Sequence, residues 1–96
     1  MKIDFNKNGA ELTVAIDGRL DTVTAPEFER FLSENCDGVA SLTIDCEKLV
    51  YVSSAGLRVL LSNHKKLKGA MKLIKVGELV MEVFEMTGFT DVLVIE

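Results

Sequence analysis

Ser53 and Ser54 stand side by side where a β-type run, Leu49-Val50-Tyr51-Val52, gives way to the helical pattern that opens with Ala55-Gly56-Leu57-Arg58. A hydroxyl at a helix N-terminus can accept a backbone N–H of the first turn. The same free N–H groups, with the positive end of the helix dipole, can also hold a phosphate. Three details go beyond simple capping. One hydroxyl is enough to cap, and two are present. Gly56 falls in the first helical turn, where glycine costs up to about 1 kcal/mol relative to alanine, so another backbone is expected to come close. Ala55 is small too, and the expected helix tip is low and open. A phosphate on this tip would leave the helix intact, since the dipole favours an anion by about 0.3–1 kcal/mol. It would also add nearly two negative charges to a surface where a partner could dock.

Other reactive groups are sparse. The single histidine, His64, sits mid-helix with no Ser-His-Asp signature around it and is expected at the surface. There is no GxxxxGK[ST], GxGxxG or HExxH pattern. Asp17, Asp21, Asp45 and Glu47 lie at strand or loop ends, where acid/base or metal chemistry could be built. Capping and solvation of loops is the better account of them. Cys36 and Cys46 form no CxxC pair and are expected to be reduced, semi-buried packing residues. The sequence therefore points to no catalytic residue, no metal, no cofactor and no enzyme activity of its own.

The elements that must position the serines can be read from the apolar spacing. The chain of 96 residues is long enough for one core, and its 48% apolar and 27% charged residues are ordinary for a globular domain. The net charge is −4, and basic residues cluster only at Lys65, Lys66 and Lys68, which argues against nucleic acid as a partner. No apolar run approaches the ~20 residues of a membrane span. The start, Met1-Lys2-Ile3-Asp4, lacks the apolar region of a signal peptide. A cytoplasmic protein without a membrane span is expected.

Ile3 and Phe5, then Leu12, Val14 and Ile16, alternate with polar residues about a turn at Lys7-Asn8-Gly9-Ala10, which predicts a β-hairpin. Gly18 to Val23 reads as a loop. Thr24-Ala25-Pro26-Glu27 predicts a helix start capped by Thr24, and Asp37-Gly38 its end. Val39 to Cys46 is β-like. A second helix runs from about Ala55 to Lys68, with Leu57, Leu60, Leu61 and Leu67 inward. Met71 to Val76 is a strand. A third helix follows Gly77, burying Leu79, Val80, Val83 and Phe84, and Val92 to Ile95 is a last strand. The order β-β-α-β-α-β-α-β predicts one α/β domain over residues 1–96, with a small mixed sheet and helices packed mainly on one face.

Taken together, Gly18-Arg19-Leu20-Asp21, Thr24-Ala25-Pro26, Asp45, Tyr51-Val52-Ser53-Ser54-Ala55-Gly56-Leu57 and Phe84-Glu85-Met86-Thr87-Gly88-Phe89 resemble, in this order, single-domain STAS proteins, the bacterial anti-sigma factor antagonists. The resemblance covers nearly the whole chain and implies the same fold. It implies a partner-switching role in transcription control. The unphosphorylated antagonist binds an anti-sigma factor that is also a serine kinase with a histidine-kinase-like ATPase fold. Phosphorylation of a helix-tip serine parts the complex, and a PP2C-type phosphatase resets it. The family's acceptor serine, two residues before the motif glycine, corresponds to Ser54, with Ser53 the runner-up. Asp21, Ser53, Ala55, Gly56 and Arg58 fall on the implied partner surface. The best-known members read Asp-Ser-Ser/Thr-Gly-Leu, so here Ser53 replaces a carboxylate and Ala55 a hydroxyl. A constitutive accessory subunit of a signalling or lipid-transport complex, in which the serines only cap, is the alternative.

Overall fold

Alternating apolar residues build most of the sheet, and the computed structural model describes all of residues 1–96. Strands β1 (Lys2–Asn8) and β2 (Glu11–Leu20) form the opening hairpin. Helix α1 (Ala25–Asn35), strands β3 (Ser41–Asp45) and β4 (Leu49–Val52), and helix α2 (Ser54–Lys66) follow. Strand β5 (Met71–Ile74), helix α3 (Glu78–Thr87), a short 3-10 turn at Phe89–Asp91 and strand β6 (Val94–Ile95) complete the chain. The sheet order is β1-β2-β3-β5-β6. The β1–β2 pairing is antiparallel and the others are parallel, as expected for strand–helix–strand units with an added hairpin.

Leu12, Val14 and Ile16 of β2, Leu42 and Ile44 of β3, and Met71 and Leu73 of β5 are all buried on one face. Phe28 and Leu32 of α1, Leu57 and Leu60 of α2, and Val80 and Phe84 of α3 close over that face in one core. The alternate residues Glu11, Thr13 and Asp17 are exposed. A mixed sheet with its helices on one side is the architecture the sequence predicts.

The differences have local causes. The run Leu49–Val52 is a separate strand, which makes the sheet six-stranded rather than five-stranded. It pairs with the far end of β2, where Gly18 faces Leu49, Arg19 faces Tyr51 and Leu20 faces Val52. Gly18 to Leu20, read as loop, is therefore strand; the register slips between Gly18, at φ +110°, and Arg19, leaving Val50 of β4 as the extra, unpaired residue. Leu79 is 70% exposed rather than buried, because α3 turns Val80 and Phe84 inward instead.

In α2 the buried row includes Asn63 and not Leu61, while Leu67, the C-cap just past the helix, packs half-buried against the core as expected. The Asn63 amide donates to Val59 O at 2.8 Å and to Glu29 Oε2 at 3.3 Å, so a buried polar group is satisfied and α2 is tied to α1. His64 is half-buried rather than superficial, with Nδ1 enclosed. The chain turns back beside it at Gly69, where φ is +86°.

The two cysteines are free thiols, Cys36 half-buried and Cys46 only 1% exposed. Burial, reinforced by the Asp45 carboxylate, pushes the Cys46 thiol up to about 12. A thiol reagent at neutral pH is expected to modify Cys36 in the native protein and Cys46 only after unfolding. Equal labelling rates in the folded protein would contradict this packing.

Candidate functional site

The parallel pairing of β2 with β4 decides the geometry of the serine pair. Both strands leave the sheet at the same edge, and Ser53 N donates to Leu20 O at 2.9 Å. Ser53 is extended, with φ −96° and ψ 176°, and its hydroxyl accepts from Gly56 N at 3.4 Å. Its carbonyl accepts the first helical hydrogen bond, from Leu57 N at 2.9 Å. Ser53 is thus the N-cap. Ser54 is the first residue of α2, is exposed, and makes no side-chain hydrogen bond within the chain. The two hydroxyls have separate duties, one structural and one unengaged. Ser53→Ala is expected to cost about 0.5–1 kcal/mol, the lower part of the usual range because the cap bond is long. Chemical denaturation would measure it, and a loss near zero would remove Ser53 as the cap.

Gly56 has a different place from the one its type suggested. It is buried, not part of an open tip. A Cβ there would lie 2.8 Å from both Leu20 Cγ and Leu20 O, and 2.9 Å from Val52 Cγ2. The backbone that approaches it is the chain's own. Gly56 therefore lets α2 seat directly on the ends of β2 and β4, and it offers no surface to a partner. Ala55 is half-buried and packs against the core. Arg58 is exposed, four residues after Ser54 and so on the same helix face. It takes part in none of the chain's ion pairs.

Asp21 organises the neighbouring turn. Its Oδ1 accepts from Val23 N at 3.0 Å and Thr24 N at 3.1 Å, and its carbonyl accepts from Ala25 N at 2.8 Å. Thr24, expected to cap α1, makes no side-chain cap bond to the helix. Its hydroxyl accepts from Asp21 N at 2.9 Å and donates to Arg19 O at 2.7 Å. The entry into α1 is therefore held from the Asp21 side. The Thr24 N–H holds the Asp21 carboxyl below its ordinary value of 3.8, against the opposing effect of desolvation. The Val23 N–H, the Thr24 hydroxyl and Arg19 add to the lowering.

A depressed carboxyl contributes stability that is present above the unfolded value, 3.8, and is lost as pH falls through the folded one. Asp21→Asn is expected to flatten the fall of melting temperature below that pH relative to the wild type. Unchanged acid behaviour would show that the carboxylate's charge is not coupled to folding.

Two residues that the sequence reading quoted within motifs but gave no role, Arg19 and Tyr51, complete the site. The Arg19 guanidinium lies 4.3 Å from the Tyr51 ring centroid, and Arg19 Nε is 3.6 Å from Asp21 Oδ2. Arg19 and Tyr51 are register partners across β2 and β4. No spacing rule connects positions 19 and 51, so only the strand pairing reveals the cluster. The arrangement is a surface of hydroxyls and charges around a helix N-terminus. No group of three or more His, Cys, Asp or Glu side chains converges as a metal site, and no helix is long and apolar enough to cross a membrane.

Comparison with known proteins matches this geometry to a family. The model of the STAS domain matches residues 2–96. BtrV of Bordetella bronchiseptica, provisionally named an anti-sigma factor antagonist, is 33% identical over 96 residues, covering 96% of this chain and 83% of its own. The anti-sigma-B factor antagonist of Bacillus subtilis is 29% identical over 96 residues, covering 97% of this chain and 88% of its own. Among solved structures, the anti-sigma factor antagonist SpoIIAA in its unphosphorylated form superposes with a TM-score of 0.75 at 14% identity, covering 99% of this chain and 87% of its own. The phosphorylated form of the Bacillus protein gives 0.74 at 15% identity, covering 99% of this chain and 91% of its own.

Proposed function

This chain belongs to the STAS domain family, and from that premise we propose that it is an anti-sigma factor antagonist whose binding is switched by phosphorylation of Ser54. The relatives named for that role align over nearly the whole chain. The observation that carries the switch is the division of labour at the tip of α2, where Ser53 caps and the exposed Ser54 hydroxyl is unengaged. Phosphorylation of Ser54 would break no bond that the fold uses. Ser53, whose oxygen is held by Gly56 N, is the poorer acceptor.

In this reading the unphosphorylated protein binds an anti-sigma factor that is also a serine kinase with a histidine-kinase-like ATPase fold. The kinase supplies the whole active site. The γ-phosphoryl group of ATP passes to Ser54 Oγ, the Oγ proton leaves to a base of the kinase, and ADP departs. The new phosphate sits at the positive end of α2, with Arg58 one turn along the same face. The fold tolerates it, while a partner seated over the tip meets buried like charge and loses contact. Hydrolysis by a PP2C-type phosphatase restores the hydroxyl. Such partners would place the protein in the cytoplasm.

Incubation with the cognate kinase and ATP, followed by peptide mass spectrometry, tests the assignment. Modification confined to Ser54 is expected. Modification of Ser53 with Ser54 untouched would overturn the site, and normal signalling by the Ser53→Ala, Ser54→Ala double variant would favour the constitutive accessory subunit.

A further inference from the structure

Helix α3 carries an apolar stripe that the fold leaves uncovered. Val80 and Phe84 point into the core. Leu79 and Met86, 70% and 87% exposed, lie to one side of that buried row, with Val83, half-buried against the core, between them at the i, i+4, i+7 spacing of one helix face. The stripe continues onto the sheet, since Leu79 shares a shallow concavity with Val50 of β4, itself 59% exposed. β4 is paired on one side, to β2. Contiguous exposed apolar side chains of this kind mark interaction surfaces.

The charges beside the stripe say what kind of partner fits. Glu78, Glu82 and Glu85 follow its flank, and α3 contains no basic residue. None of the three takes part in the chain's ion pairs, and nearby Lys75 is committed to Asp45 at 3.8 Å. Glu78–Glu82 and Glu82–Glu85 are like-charge neighbours at i,i+4 and i,i+3, a spacing that weakens a helix. Glu85 also stands in the last turn, at the negative end of the dipole. Glu78 stands in the first turn, where the dipole favours it, whereas Glu82 and Glu85 meet no compensating cation within the chain.

We propose that α3 together with Val50 is a second docking surface, built for a basic amphipathic segment of the partner protein. Its apolar residues enter the Val50–Leu79 concavity and continue to Met86, and its Lys or Arg residues meet the three glutamates. A second copy of this chain docked face to face would oppose the same glutamates. The surface lies close to the switch site along the chain, because the exposed Val50 and Tyr51 of β4 are followed, after buried Val52, by Ser53 and Ser54. One partner can therefore engage both. The inference rests on the proposed function only in taking the chain to be a protein-binding module.

Photo-crosslinking with benzoylphenylalanine placed singly at Val50, Leu79, Met86 and Ser54, in the full chain in its host cells, tests it. Positions 50, 79 and 86 are expected to capture a segment in which Lys or Arg flank apolar residues, from the same protein that position 54 captures. The Glu78→Lys, Glu82→Lys, Glu85→Lys variant is expected to lose the α3 crosslinks. With that captured protein purified, Leu79→Ser with Met86→Ser is expected to weaken binding at least about tenfold without lowering the melting temperature. Capture at position 54 alone, capture of a second copy, or capture of an acidic segment would overturn the inference. Capture of the basic segment at α3 without any capture at 54 would leave it standing and overturn the Ser54 switch instead.

Discussion

The Ser54-phosphorylated protein is expected to bind its anti-sigma factor about 150- to 1,000-fold more weakly than the unphosphorylated form. That corresponds to ~3–4 kcal/mol, the size of a buried charge placed against an interface that cannot pair it. Ser54→Asp, with one negative charge and no tetrahedral phosphate, is expected to give a smaller loss of roughly tenfold or more. Melting should barely move in either case. Ser54 is exposed and outside the capping bond, and an anion at the first helical residue is favoured by the dipole. Isothermal titration against the partner and thermal melting of the same samples separate the two effects. Undiminished binding of the phosphorylated form would end the switch. A large drop in melting temperature with Ser54→Asp would instead mean that Ser54 is part of the cap.

Gly56→Ala is expected to destabilise the fold by about 1–3 kcal/mol, although alanine is the better helix former by up to ~1 kcal/mol. The reason is the close seat of α2 on the sheet. A new Cβ would meet Leu20 O at 2.8 Å, and Leu20 O is backbone that already accepts from Ser53 N. Leu20 Cγ and Val52 Cγ2 can shift by rotation, but that carbonyl yields only if β2 moves or α2 lifts. For a domain of this size each kcal/mol lowers the melting temperature by roughly 4–8 °C. Because the same displacement would tilt the tip of α2, phosphorylation of Ser54 should slow as well. An unchanged or raised melting temperature would show that the helix seat has slack and that Gly56 is not required by packing.

Most of the framework was legible because it rests on local periodicity. The hairpin, the three helices and the parallel order follow from alternation and from 3.6-residue spacing in short segments. The serine pair was legible for the same reason, since a strand pattern stops and a helix pattern starts around it. What local pattern could not supply was the partner of each surface. Leu79 and Val80 are adjacent aliphatic residues, and periodicity placed both in the core. Thr24 looked like a cap by type, yet the bonds at the start of α1 go to Asp21. Asn63 was passed over because a polar residue breaks an apolar stripe, although its own helix and Glu29 satisfy it.

The amino-acid order by itself determined the class of fold, the position of the two hydroxyls at a helix N-terminus and the need for a small residue at 56. These depend on neighbours within a few positions, where propensity and spacing are strong. Only the tertiary structure decided which hydroxyl is engaged, which backbone Gly56 admits, that Arg19, Tyr51 and Asp21 share the serine edge, and that Leu79 and Met86 stay uncovered. Those depend on β4 pairing with the end of β2, a contact between segments about thirty residues apart. Its register is set by a slip that leaves Val50 of β4 unpaired between Gly18 and Arg19, and by burial of Leu20, Leu49 and Val52 in the common core, and no local signal carries that information.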